Sequence, residues 1–162
     1  MKNVVKIADV YLSKEVESKQ GIKHRILNIS LVEKISSFKI VEDEKVEKKV
    51  SNLSLRESDF VRLIALDDTL ALVEERTGDD SLSYEDNWSL KHRDRIRCLK
   101  GASLTIDREI VEEEELNEDG DIVLDEEGKP IKKLIGFGET KLVSLQLTKA
   151  GERLAEKLVF GE

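Results

Sequence analysis

Ile29 and Leu31, followed by Phe38 and Ile40, put apolar side chains at alternate positions, the period of a strand that buries one face. A run that alternates in twos makes a poor helix stripe, so the first third of the chain is committed to a sheet. Val4, Val5, Ile7 and Val10 to Leu12 read as an opening strand, and Lys19-Gln20-Gly21 supplies a turn before a second run through Ile22, Ile26, Ile29, Leu31 and Ile35. Val46, Val50 and Leu53 continue the sheet, with 42–49 as an exposed turn and strand entry. Strands joined by short turns predict an antiparallel meander.

At Ser54 the signals change. Ser54-Leu55-Arg56-Glu57 has the form of a capping box, and Phe60, Leu63, Ile64, Leu66, Leu70 and Val73 follow at helical spacing, so a helix is predicted over 54–76 with Gly78 at its stop. Asp67-Asp68 offers an earlier end, leaving 69–76 as a strand. Trp88 to Leu99 reads as a strand, and so does Ser103 to Val111, where Leu104, Ile106 and Ile110 share a face with Arg108 as the exception. Ile131–Ile135 and Leu142–Leu147 are further strands, Thr148 caps a last helix through Phe160, and the chain reads as free of internal repeats. With 162 residues, one domain is predicted: an α+β fold with a twisted, mostly antiparallel sheet, one long central helix and a C-terminal helix docked or exchanged between subunits.

Charge is unevenly distributed. Asp107 to Gly128 carries twelve acids against Arg108 alone, so a whole-chain net charge of -8 leaves the rest of the protein net positive. Asp119-Gly120 and Glu127-Gly128-Lys129-Pro130 mark turns, so 112–130 is expected to project as an acidic hairpin or loop. Such a hairpin can be a solubilising loop, a cation site, or a nucleic-acid mimic that competes for or regulates a basic surface; Asp119-Gly120-Asp121 lacks the ligand spacing of an EF-hand. No apolar run is long enough for a membrane span, and no apolar leader opens the chain. Cys98 is the only cysteine, with His24 and His92 the only histidines, which fits a reducing, cytoplasmic setting and leaves no zinc-type cluster.

In the strand reading of 88–98, Lys91, Arg93, Arg95 and Arg97 point to one face, with Lys100 beyond them and Trp88 at the other end. Four cations at ~6–7 Å intervals approximate the phosphate spacing of an extended polynucleotide, and Trp88 offers a base-stacking surface. Lys23, His24 and Arg25 extend this surface if their strand lies alongside. The competing reading is a solvated face whose cations pair with acids on neighbouring strands. Cys98 alternates to the opposite, buried face. Signatures of phosphate loops, zinc proteases and nucleophile elbows are absent, and no cofactor is implied.

The expected function is therefore non-enzymatic nucleic-acid binding through a basic β-face, with single strands preferred. The alternative is a structural or adaptor protein of a viral or multi-subunit assembly that binds no nucleic acid and uses an exposed apolar edge as its interface; a protein partner at the acidic hairpin or the C-terminal helix, and a homo-oligomer, are further expectations. A metal-dependent nuclease using Asp121 with Glu127-Gly128-Lys129 is third, although an acid followed by Lys two positions later arises by chance several times in so charged a chain.

Leu142-Val143-Ser144-Leu145-Gln146-Leu147-Thr148-Lys149-Ala150-Gly151-Glu152-Arg153-Leu154-Ala155 resembles the wing strand and last helix of winged-helix regulators of the MarR kind. That resemblance covers about a tenth of the chain and implies duplex-DNA binding by a recognition helix just upstream of the wing. The upstream residues are strand-like and acidic instead, so no functional residue is carried over from that family.

Overall fold

A computed structural model describes residues 1–42 and 44–161; part of the turn expected at 42–49, and the side chain of Ile40, lie outside the described residues. The first half forms β1 (Lys2–Leu12), the short pair β2 (Val16–Glu17) and β3 (Lys23–His24), then the long strands β4 (Ile26–Val41) and β5 (Glu44–Arg56). Later come α1 (Asp59–Ile64), α2 (Tyr84–Lys91), α3 (Arg93–Leu99), β6 (Ser103–Glu114), β7 (Lys132–Gln146) and α4 (Lys149–Phe160). The fold is α+β, with a five-stranded sheet in the order β5-β4-β1-β6-β7, antiparallel at every pairing.

One irregularity explains the uneven pattern at the start of the chain. The pairing of β1 slips between Ile7 and Asp9, so Val5 and Ile7 before the bulge and Val10 and Leu12 after it all face the core despite opposite parity. They meet Leu27, Ile29 and Leu31 of β4 and Leu104 and Ile106 of β6. Phe60, Leu63 and Ile64 of α1 cover this face together with Leu70, Val73 and Leu99.

The long central helix is not found. β5 runs on to Arg56, Ser58 begins α1 without a side-chain cap, and Glu57 accepts a hydrogen bond from the Tyr84 hydroxyl at 2.6 Å rather than closing a capping box. The helix stops at Ile64, and the Asp67 carboxylate then accepts from the Leu70 backbone N–H at 2.8 Å, where a 3-10 turn begins at Leu70–Leu72. Chain 73–79 then runs extended beside α2 without becoming a strand, and Gly78 is where it presses closest: a Cβ there would lie 2.5 Å from Asn87 Oδ1.

The strand expected at Trp88 to Leu99 is instead α2 and α3. Ser83 caps α2 by accepting from the Asp86 N–H at 3.2 Å, and Trp88, His92, Ile96 and Leu99 form a buried stripe at spacings of four, four and three. Thr148 caps α4 by accepting from the Gly151 N–H at 3.0 Å. Among the described residues no helix is long and apolar enough to cross a membrane.

Between β6 and β7 the chain makes two turns of one design. Asn117 Oδ1 accepts from the N–H groups of Asp119 and Asp121, and Asp125 Oδ1 accepts from those of Glu127 and Lys129. Gly120 and Gly128 sit at φ +83 and +79, which glycine adopts without strain. The bridges Leu116↔Ile122 and Leu124↔Pro130 are likewise eight residues apart. Leu116–Val123 and Leu124–Ile131 are thus an eight-residue repeat, contrary to the expectation of none.

Candidate functional site

Helical geometry separates the six residues expected to form one basic face. Arg93, Arg97 and Lys100, at spacings of four and three, share the exposed side of α3 and line a concavity of about 410 Å³ with Tyr11 of β1, which is 44% exposed, and Asp9. Arg95 lies two residues from Arg93, about 200° around the helix, and points the other way. Its Nε donates to the Val73 carbonyl at 2.9 Å and its Nη1 lies 3.4 Å from Glu75. Lys91 ends α2 on that same far side.

Trp88 is 7% exposed and packs edge-on against Phe60, with ring centroids 4.9 Å apart. It therefore belongs to the core and offers no stacking platform. His92 packs against both rings, at 4.7 Å and 4.8 Å. Since arginine can only donate, the 2.9 Å contact of Arg95 Nη1 with His92 Nδ1 makes that nitrogen the acceptor and puts the ring proton on Nε2, 3.8 Å from Glu75. Burial, the largest cause, holds the His92 pKa below its usual range.

Asp94 anchors α3 from its buried side. Arg76 grips it through two 2.9 Å hydrogen bonds, which are the main cause of its pKa lying below the usual carboxylate value. Arg97 lies 3.9 Å from the same carboxylate and is otherwise exposed, so the cations facing solvent on α3 stand on a helix fixed at its base.

A larger groove opens where the curled sheet fails to close. Strands β5 and β7 are its two edges, and residues 54–56 of β5 face 139–142 of β7 across about 780 Å³, with Asp59 and Arg62 of α1, Ile26 and Leu66 also lining it. At its other end the two hairpins meet: Phe38 of β4 and Phe137 of β7 pack with tilted rings, centroids 5.5 Å apart, and Arg108 lies 3.7 Å over Phe137 while donating to the Ser36 carbonyl at 2.7 Å and Asn3 Oδ1 at 2.9 Å. Past His24 and Arg56 the groove continues to Tyr84, on whose ring Arg25 stacks at 3.9 Å. Arg25 and His24, expected beside the basic face, thus belong to this seam and not to the α3 surface.

Asp121 and Glu127-Gly128-Lys129 fall in the two separate turns, with Lys129 3.9 Å from Glu127. Among the described residues no three His, Cys, Asp or Glu side chains are grouped to hold a metal ion. Comparison with protein-family models, curated proteins and solved structures finds no match to this chain. The winged-helix likeness extends over β7, the Thr148 cap and α4; upstream of β7 lie the acidic turns and β6, not a helix.

Proposed function

We propose that this chain is a non-enzymatic nucleic-acid-binding protein whose contact surface is the outer face of α3. The observation that carries the reading is the alignment of Arg93, Arg97 and Lys100 on one exposed helix face beside an exposed aromatic ring, Tyr11. From Arg93 to Lys100 the rise is roughly 10 Å at 1.5 Å per residue, enough to meet two or three successive phosphates. Tyr11 at the rim favours an unpaired base that can be turned to stack on it, which supports a preference for single strands. Binding is electrostatic and weak, since the acidic turns at 115–131 repel a polyanion elsewhere on the molecule.

Fluorescence anisotropy of a labelled single-stranded oligonucleotide and its duplex, titrated across salt, tests this. The single strand is expected to bind more tightly, and log K against log salt to fall with a slope of about -2, from ~0.7 per neutralised phosphate. Replacing Arg93, Arg97 and Lys100 together by Ala is expected to cost about tenfold in affinity on any sequence. An unchanged affinity in that variant, or no binding at the lowest salt, removes the reading.

A second reading has an observation of its own. The open seam between β5 and β7, together with the acidic arm, favours a structural or adaptor role in a larger assembly, in which copies or partners meet through strand edges.

A further inference from the structure

We propose that the seam between β5 and β7 is a docking groove for the acidic arm, residues 115–131, of a second copy of this chain. The inference stands on a surface separate from α3 and does not depend on nucleic-acid binding. Its first support is charge. Among the described residues Arg56 and Lys141, one on each wall of the seam, form no ion pair, whereas Arg62 is held by Asp59 at 3.0 Å and Arg25 by Glu15 at 3.6 Å. Glu139 is the seam's other acid. The arm carries Glu118, Asp119 and Asp121 exposed at its first turn.

The second support is apolar surface of matching kind. Leu116, Ile122 and Leu124 are 56%, 46% and 56% exposed on the arm, on either side of its first acidic turn, although three leucine-sized side chains in water gain nothing by projecting there. In the seam, half-buried Ile26, Leu55, Leu66 and Leu142 line the floor between the cations. Arm and seam thus each place apolar groups beside charged ones, acidic on the arm and, in the seam, the cations Arg56 and Lys141, unpaired among the described residues.

The third support is reach. Lys132, at the base of the arm, and Lys141, on the wall of the seam, are joined by continuous β7, roughly 30 Å of strand at ~3.3 Å per residue. The arm points away from its own seam along this strand, so the contact is made between copies. Reciprocal exchange of arms satisfies both seams in a closed two-fold pair.

Sedimentation velocity at about 20 mM and about 500 mM salt reads the association, since exposed charge pairs weaken as the Debye length shortens. Two variants sort the outcomes: Arg56→Glu with Lys141→Glu in the seam, and Glu118→Lys, Asp119→Lys and Asp121→Lys in the arm, which leave the turn-forming Asn117 and Asp125 intact. Circular dichroism confirms that each is folded. The wild type is expected to associate at low salt and separate at high salt. Each variant alone should be at least tenfold weaker in self-association, and their mixture should recover a complex, because the basic arm of one then meets the acidic seam of the other. A monomeric wild type at low salt, association that survives in either variant, or a mixture that stays monomeric overturns the proposal. So does a monomeric wild type whose single-stranded oligonucleotide binding is lost in the seam variant alone, an outcome that assigns the groove to a polynucleotide.

Discussion

His92 is the residue whose environment has the clearest consequence in solution. Its ring is wedged between Phe60 and Trp88, so burial above all disfavours an added proton; Nδ1 also accepts from Arg95, so protonation there sets two donors against each other beside the Arg95 and Lys91 charges, with Glu75 and Glu57 acting in the opposite sense. The folded protein therefore takes up this proton at lower pH than the unfolded chain, whose histidine titrates near ~6.5. Stability from this group is complete above that value and is lost as pH falls through the lowered folded pKa. Urea midpoints measured from pH 7 down to pH 5 are expected to decline, and His92→Gln, which retains an acceptor for Arg95, should flatten the decline; an equal decline in the variant rejects the assignment. Cys98, fully buried, has its thiol pushed up to about 11, chiefly by burial. It should resist alkylation by iodoacetamide at pH 8 until denaturant is added.

At the scale of elements, what was legible depended on which period the residues kept. Strands β1, β4 and β6 announce themselves by alternation, and the bulge in β1 accounts for its change of parity. Segment 88–99 carries two periods at once: the cations at 91, 93, 95 and 97 step in twos, while Trp88, His92, Ile96 and Leu99 step in fours and threes. Apolar burial outweighs exposed charge, so the helical period decides, and the cap at Ser83 with Asp86 was the signal to heed. Hence three of the expected site residues, Arg93, Arg97 and Lys100, come together, while Trp88, Lys91 and Arg95 turn inward or away. The helix expected over 54–76 had the right buried face, but α1 ends at Ile64, just ahead of the earlier stop that Asp67-Asp68 offered, and the apolar spacing beyond it is kept by a 3-10 turn instead. Between α3 and α4 the contact is close enough to test: a Cβ on Gly151 would lie 2.5 Å from the Cys98 carbonyl oxygen. Gly151→Ala is expected to lower stability by about 1–3 kcal/mol through overpacking, read as a lower urea midpoint at unchanged m-value. An unaltered midpoint means that α4 can shift off α3 without loss.

Across the whole molecule, one buried side chain bridges the two hairpins at the closed end of the sheet. Arg108 is 4% exposed, is held by Ser36 and Asn3, has no carboxylate partner among the described residues, and carries an Nε without a hydrogen-bond partner. It is also the charged residue that broke the apolar alternation of β6, so its position, though not its job, was visible from the start. It ties β4 to β6 and covers Phe137, so it joins the β4–β5 and β6–β7 hairpins at the end opposite the open seam. A desolvated guanidinium with incomplete pairing contributes less than its two hydrogen bonds suggest, whereas its contact with Phe137 is ordinary packing. Both variants strand the same two acceptors, but Arg108→Met keeps that contact, so it should cost less stability than Arg108→Ala, which adds a cavity to the lost hydrogen bonds for a total of about 2–4 kcal/mol. In both variants amide exchange at 36–38 and 136–138 should quicken more than in the β1 core, because the hairpins lose their tie while the central strands keep theirs. Equal losses in the two variants would place the energy in the hydrogen bonds. Uniform exchange would show that the two hairpins are held together by the sheet itself.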